Sequence, residues 1–163
     1  MDIVNATPYV PPSAIWMWLF PVTYLIHLAE EFWGGEGYSA YLYRLRGVQL
    51  SQARFLIFQS FGLILLTVGV VLSRHFKWPR FMLALMGALV LANGLTHTVT
   101  AIRDRRYGPG LVTCVLIWIP LGLVTLMMLP AQMETSRYII AASIGFGIQG
   151  VVALIAIRGG RLV

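Results

Sequence analysis

Residues 51–72 read SQARFLIFQSFGLILLTVGVVL, and from Phe55 to Leu72 no side chain is charged. A helix rises ~1.5 Å per residue, so about 20 such residues cross a hydrocarbon core ~30 Å thick. Similar runs lie on either side of it. Lipid offers no partner to unpaired amides, so each run must close its own backbone hydrogen bonds as a helix. The sequence therefore predicts an all-α fold, a polytopic membrane helix bundle of about five transmembrane helices. They are placed near residues 13–33, 51–72, 79–102, 109–129 and 136–157, in a single domain covering 1–163.

Composition supports the same solvent. The chain of 163 residues is 58% hydrophobic and 11% charged, with a mean hydropathy of +0.78. That leaves too little polar surface for a water-facing shell. Pro79 and Pro109 suit first-turn positions, Pro130 follows the fourth run, and Pro21 and Pro120 are expected to kink helices from within. Trp16, Trp18, Trp33 and Trp78 lie close to predicted helix ends, where indoles favour the headgroup layer. Tyr38, Tyr41 and Tyr43 with Arg44 and Arg46 suggest a short amphipathic segment on the interface.

Short cytoplasmic loops retain basic residues. Arg44, Arg46, Arg54, Arg103, Arg105, Arg106, Arg158 and Arg161 fall on one side, against Arg74, Lys77, Arg80 and Arg137 on the other. The expected orientation is N-terminus out and C-terminus in, in a bacterial cytoplasmic membrane. The net charge of +6 is then a topology signal, and nucleic acid is not an expected partner. Met1 to Ser13 carries Asp2 and no basic residue, which does not fit a cleavable signal. The single cysteine, Cys114, cannot form an intrachain disulfide.

Polar residues at membrane depth carry the functional signal. His27 stands three and four residues before Glu30 and Glu31, a spacing that places them on one side of the first helix. Ionisable groups in the hydrocarbon cost several kcal/mol unless paired, so they normally face the bundle interior. Asn93 and His97 repeat the four-residue spacing in the third helix. His27 lies ~20 Å along its helix, and Asn93 and His97 lie ~21 and ~27 Å along theirs, so the two clusters share a depth. Ala84, Ala88 and Ala92 let a neighbouring helix approach beside them. Gln149 lies at a similar depth and is expected to join the site, while Gln59 is expected to bond another helix.

His27-Leu28-Ala29-Glu30-Glu31 resembles the motif of the HXXEE-domain family of small multi-pass membrane proteins. Asn93-Gly94-Leu95-Thr96-His97 is similar to its N-x-x-x-H element, and Tyr107-Gly108-Pro109-Gly110 to its Y-x-P-G element. The likeness spans roughly residues 20 to 115 in the same order. That family has no defined function, so the resemblance implies positions more than chemistry.

Two imidazoles and two carboxylates form a ligand set used for Zn, Fe or Mn. The expected cofactor is one divalent transition metal held by His27, His97 and one of Glu30 and Glu31. The other glutamate would then act as general base, with Asn93 orienting a ligand or the substrate. The order HxxEE is not the HExxH of zinc proteases, and the remaining acids lie outside the spans, too few for a di-iron centre. A competing reading is a metal-free acid/base isomerase or cyclase. A third is a non-catalytic ion- or lipid-binding or transport protein, for which so few helices would require a homo-oligomer. The expected partner in the enzymatic readings is a membrane lipid or hydrophobic small molecule, such as an isoprenoid. Tyr107 to Gly110 either turns the chain between helices or helps bind substrate, with Tyr107 closing the site and Arg103, Arg105 and Arg106 holding a phosphate.

Overall fold

The computed structural model describes residues 14–47 and 49–158. The expected helix start at Ser13, the reading of Met1 to Ser13, and Arg161 lie outside the described residues, as does the side chain of Arg158. All the regular elements of the described chain are helical, with no strand among them. These are α1 (Ala14–Trp33), α2 (Tyr38–Arg46), α3 (Gln52–His75) and α4 (Pro79–Asp104). A short turn α5 (Leu111–Thr113), a π turn (Cys114–Trp118) and α6 (Ile119–Met128) follow, and α7 (Thr135–Arg158) ends the fold.

Four segments are long and apolar enough to cross a membrane: Gln52–His75, Pro79–Asp104, Leu111–Gln132 and Thr135–Ile155. These four spans are those of an integral membrane protein. The fifth expected helix, α1, has 20 residues, but His27, Glu30 and Glu31 lower its hydropathy. The bundle is inside-out relative to a water-soluble domain, since Ile57, Phe61, Ile64 and Val71 on α3 and Leu116 and Met127 in the fourth span face outward.

Helix ends follow local chemistry. Ser51 caps α3 by accepting a hydrogen bond from the Arg54 amide, and Pro79 occupies the first turn of α4. Pro109 was expected in the first turn of the fourth span but precedes it, because Gly110 at φ 89° supplies the left-handed residue that turns the chain into Leu111. Pro21 sits within an unbroken α1. Pro120 lacks the N–H that would bond residue 116, and the backbone opens into the π turn immediately before it.

Helix α4 is central, packing on α7, on α6 and on the π turn. Its close neighbours are possible because glycines meet backbone. A Cβ added at Gly145 would fall 2.2 Å from the Leu85 carbonyl oxygen, and one at Gly122 would fall 2.7 Å from that of Gly87. A core of Met17, Phe20, Val70, Leu83, Met86 and Trp118 fills the space between α1, α3, α4 and the fourth span. Gly145→Ala should therefore destabilise the bundle by about 1–3 kcal/mol through overpacking. Gly147→Ala, where an added Cβ meets nothing within 4 Å, should not. Thermal or denaturant unfolding in detergent compares the two.

Candidate functional site

One turn of α1 separates His27 from Glu31, and both side chains are buried, at 2% and 3% exposure. His27 Nε2 lies 3.5 Å from Glu31 Oε1. Across the bundle, α4 brings His97 Nε2 to 3.5 Å from the same oxygen. The two imidazoles stand edge to face, 5.2 Å between centroids. Glu31 Oε2 accepts a hydrogen bond from the Gln59 side-chain amide on α3, and the Tyr24 hydroxyl donates to Gln59 Oε1 at 2.6 Å. That relay turns Oε1, and not Oε2, toward the imidazoles.

The other nitrogen of His27 is fixed by the fourth span. Thr113 Oγ1 donates to the Gly110 carbonyl at 3.1 Å and lies 2.7 Å from His27 Nδ1. With its proton on the Gly110 carbonyl the hydroxyl accepts here, which puts the imidazole proton on Nδ1 and a lone pair on Nε2. Nε2 has no hydrogen-bond partner although it is buried. Trp118 lies against the ring at 3.9 Å between centroids and donates its indole N–H to Thr23 at 3.3 Å. Thr113 and Trp118 bracket the π turn, which aims both at His27.

Glu30 turns elsewhere. Its Oε1 accepts from the Tyr107 hydroxyl at 2.7 Å and the Val112 amide at 2.9 Å, and its Oε2 accepts from the Thr113 amide at 2.7 Å. The carboxylate thus caps the fourth span from a neighbouring helix, where free N–H groups and the helix dipole favour an anion. Successive residues diverge by ~100° around a helix, which is why Glu30 and Glu31 cannot share a face. The expected grouping of His27, Glu30 and Glu31 on one side therefore holds for His27 and Glu31 alone.

Asn93 and Gln149 form their own pair, the Gln149 amide donating to Asn93 Oδ1 at 3.0 Å between α7 and α4. No hydrogen bond ties either to His27, Glu31 or His97. Arg103 is exposed in the last turn of α4. Tyr107 touches the site only through Glu30. Gly110 comes closer, since a Cβ there would stand 2.6 Å from His27 Cε1, 3.0 Å from His97 Cε1 and 3.1 Å from Glu31 Cγ.

The match to the family described as "Protein of unknown function with HXXEE motif" covers residues 18–125. The chain belongs to the HXXEE family. Its motif supplies the α1 half of the cluster, and the two later elements supply His97 and Gly110. No curated protein and no solved structure matches the chain.

Metal donors in this HXXEE protein can be weighed from geometry. Among the described residues His27, His97 and Cys114 bring ligand atoms within 4.8 Å of one another. Cys114 Sγ, however, approaches His27 on the Nδ1 side, at 3.8 Å, where Thr113 already holds the nitrogen. The unpartnered nitrogen faces Glu31. Gln59, Thr113 and Gly110 were absent from the expected site. The signal for Gln59 was an amide alone in a long apolar run.

Burial and the Glu30 bond push the Tyr107 phenol up to about 12. Between the ordinary value of 10.0 and that value the folded phenol stays protonated while an unfolded one ionises, so this contribution is lost as pH rises through the window. NMR of ring-labelled tyrosine should show Tyr107 titrating near 12, and moving part of the way back toward 10 in Glu30→Gln.

Proposed function

We propose that this protein is a membrane-embedded enzyme in which His27, His97 and Glu31 hold one divalent transition metal ion, Zn, Fe or Mn. One observation carries the reading: two imidazole Nε2 atoms lie 3.5 Å from a single carboxylate oxygen, and the one on His27 has no partner. Donors around a tetrahedral ion at ~2.0–2.2 Å stand ~3.3–3.5 Å apart. A proton shared by these groups would instead draw them to ~2.7–2.9 Å. The two nitrogen-to-oxygen spacings match the donor separation around an ion, and the metal-free acid/base alternative would use the same three groups.

The surroundings support the same reading. Thr113 sets the tautomer of His27 and Gln59 orients Glu31, as outer partners of metal ligands do. Gly110 lets the backbone come close against His27, His97 and Glu31, where any Cβ would clash. A bound ion of this kind supplies Lewis acidity. The chain's residues would fix its position and exclude bulk water. Glu30 drops out of the ligand set because three donors already satisfy it. The substrate is a lipid-like molecule reached from the membrane, with the Arg103 end of α4 on the cytoplasmic side of a bacterial membrane.

Elemental analysis of protein purified in detergent without chelator or a histidine tag tests this. Wild type should carry close to one transition metal ion per chain. His27→Ala, His97→Ala and Glu31→Gln should each lose it at least tenfold, while Glu30→Gln retains it. Metal-free wild-type protein would sink the proposal.

A further inference from the structure

The cluster is buried, yet it is not sealed. A cavity of about 170 Å³ reaches Glu31 between α1, α2 and α3, with Phe32, Tyr38 and Phe55 among its walls. The three rings form a stack, with Phe55 5.4 Å from Tyr38 and 6.5 Å from Phe32 between centroids. The cavity also meets Glu36, whose carboxylate is bonded by Arg44. Outside it lies a wider groove of about 540 Å³, lined by Ser39, Ala40, Tyr43, Gln49, Ser51 and Arg54 among others. Ser39 and Ala40 border both spaces.

The outer groove falls in the ~300–1,000 Å³ range of small-molecule sites, and the inner cavity is narrower than that. Such a shape suits an elongated molecule with its bulk outside and a slender part inside. Charge specifies the rest. Arg54 is the one charged residue lining the groove, and among the described residues no carboxylate lies within ion-pair distance of it. Its guanidinium can take an acidic head in a paired hydrogen-bond geometry, with Ser51 and Gln49 beside it. Phe32, Tyr38 and Phe55 give the inner passage an aromatic wall for an apolar body.

We propose that the α2–α3 groove binds a single-chain anionic amphiphile, its acidic head on Arg54 and its body passing Phe32, Tyr38 and Phe55 toward Glu31. This rests on the reading of Glu31 as part of a working site and names the substrate class that site would take. It also assigns the approach: the ligand arrives from the interface over α2, not through the Tyr107 loop.

Equilibrium binding of radiolabelled dodecyl phosphate, to protein held in neutral-lipid nanodiscs, tests the assignment. Saturable binding at one site per chain is expected. Arg54→Gln should weaken it about tenfold, with Arg54→Lys retaining more than Arg54→Gln. Ala40→Trp, which places an indole where the two spaces meet, should abolish it. Inorganic phosphate and dodecyltrimethylammonium should compete poorly. Unchanged binding in both Arg54→Gln and Ala40→Trp would overturn the site, and competition by inorganic phosphate equal to that of dodecyl phosphate would overturn the amphiphile. Arg54→Gln should keep the transition-metal content of wild type. Loss of metal and loss of the groove are thereby read separately.

Discussion

A carboxylate buried inside the helix bundle is the constraint on which the rest of this structure turns. Glu31 is 3% exposed and lies in a helix that must sit among apolar neighbours. Leaving such a charge unpaired costs several kcal/mol, so every nearby element contributes something to it. The α3 helix gives the Gln59 amide, itself held by Tyr24. The α1 and α4 helices each bring an imidazole nitrogen to 3.5 Å from the other oxygen. With the His27 lone pair on that side, it is the ion of the proposed site that would pair the charge there. The fourth span gives Thr113, which decides the tautomer of His27 and so which of its nitrogens meets the carboxylate.

Such an arrangement needs the start of the fourth span to come very close to α1, and two local departures from regular helix allow it. Gly110 takes φ 89°, and the π turn over Cys114–Trp118 rotates the following residues onto His27. Glu30 locks the approach by capping the same segment from α1. The two adjacent glutamates thus divide the labour: Glu30 holds the scaffold, and Glu31 faces the imidazoles. Outside the bundle, Arg44 keeps the Glu36 carboxyl below its ordinary range through a direct hydrogen bond.

The all-helical membrane architecture was legible because the length of an apolar run is itself the physical requirement for crossing a bilayer. The shared depth of His27, Glu31 and His97 was legible for the same reason, since rise per residue converts sequence into height. Rotation about the helix axis was not. Asn93 lies at the expected height yet faces Gln149 on α7, because the contacts that set the azimuth of α4, such as Gly145 on the Leu85 carbonyl, join residues far apart in sequence. Glu30 was separable from Glu31 by the ~100° between neighbours alone. Thr113 gave no signal, since it is the turn at Gly110 that brings it to His27, a residue far away in sequence.

The most direct test of the central claim is the protonation pattern of the His27 ring, read by ¹⁵N NMR of histidine-labelled protein with His97→Gln and His75→Gln variants for assignment. The account predicts a neutral ring protonated at Nδ1, with Nε2 unprotonated and only Nε2 shifting when Zn²⁺ is added. A ring protonated at Nε2, or a Zn²⁺ response confined to Nδ1 beside Cys114, would contradict it.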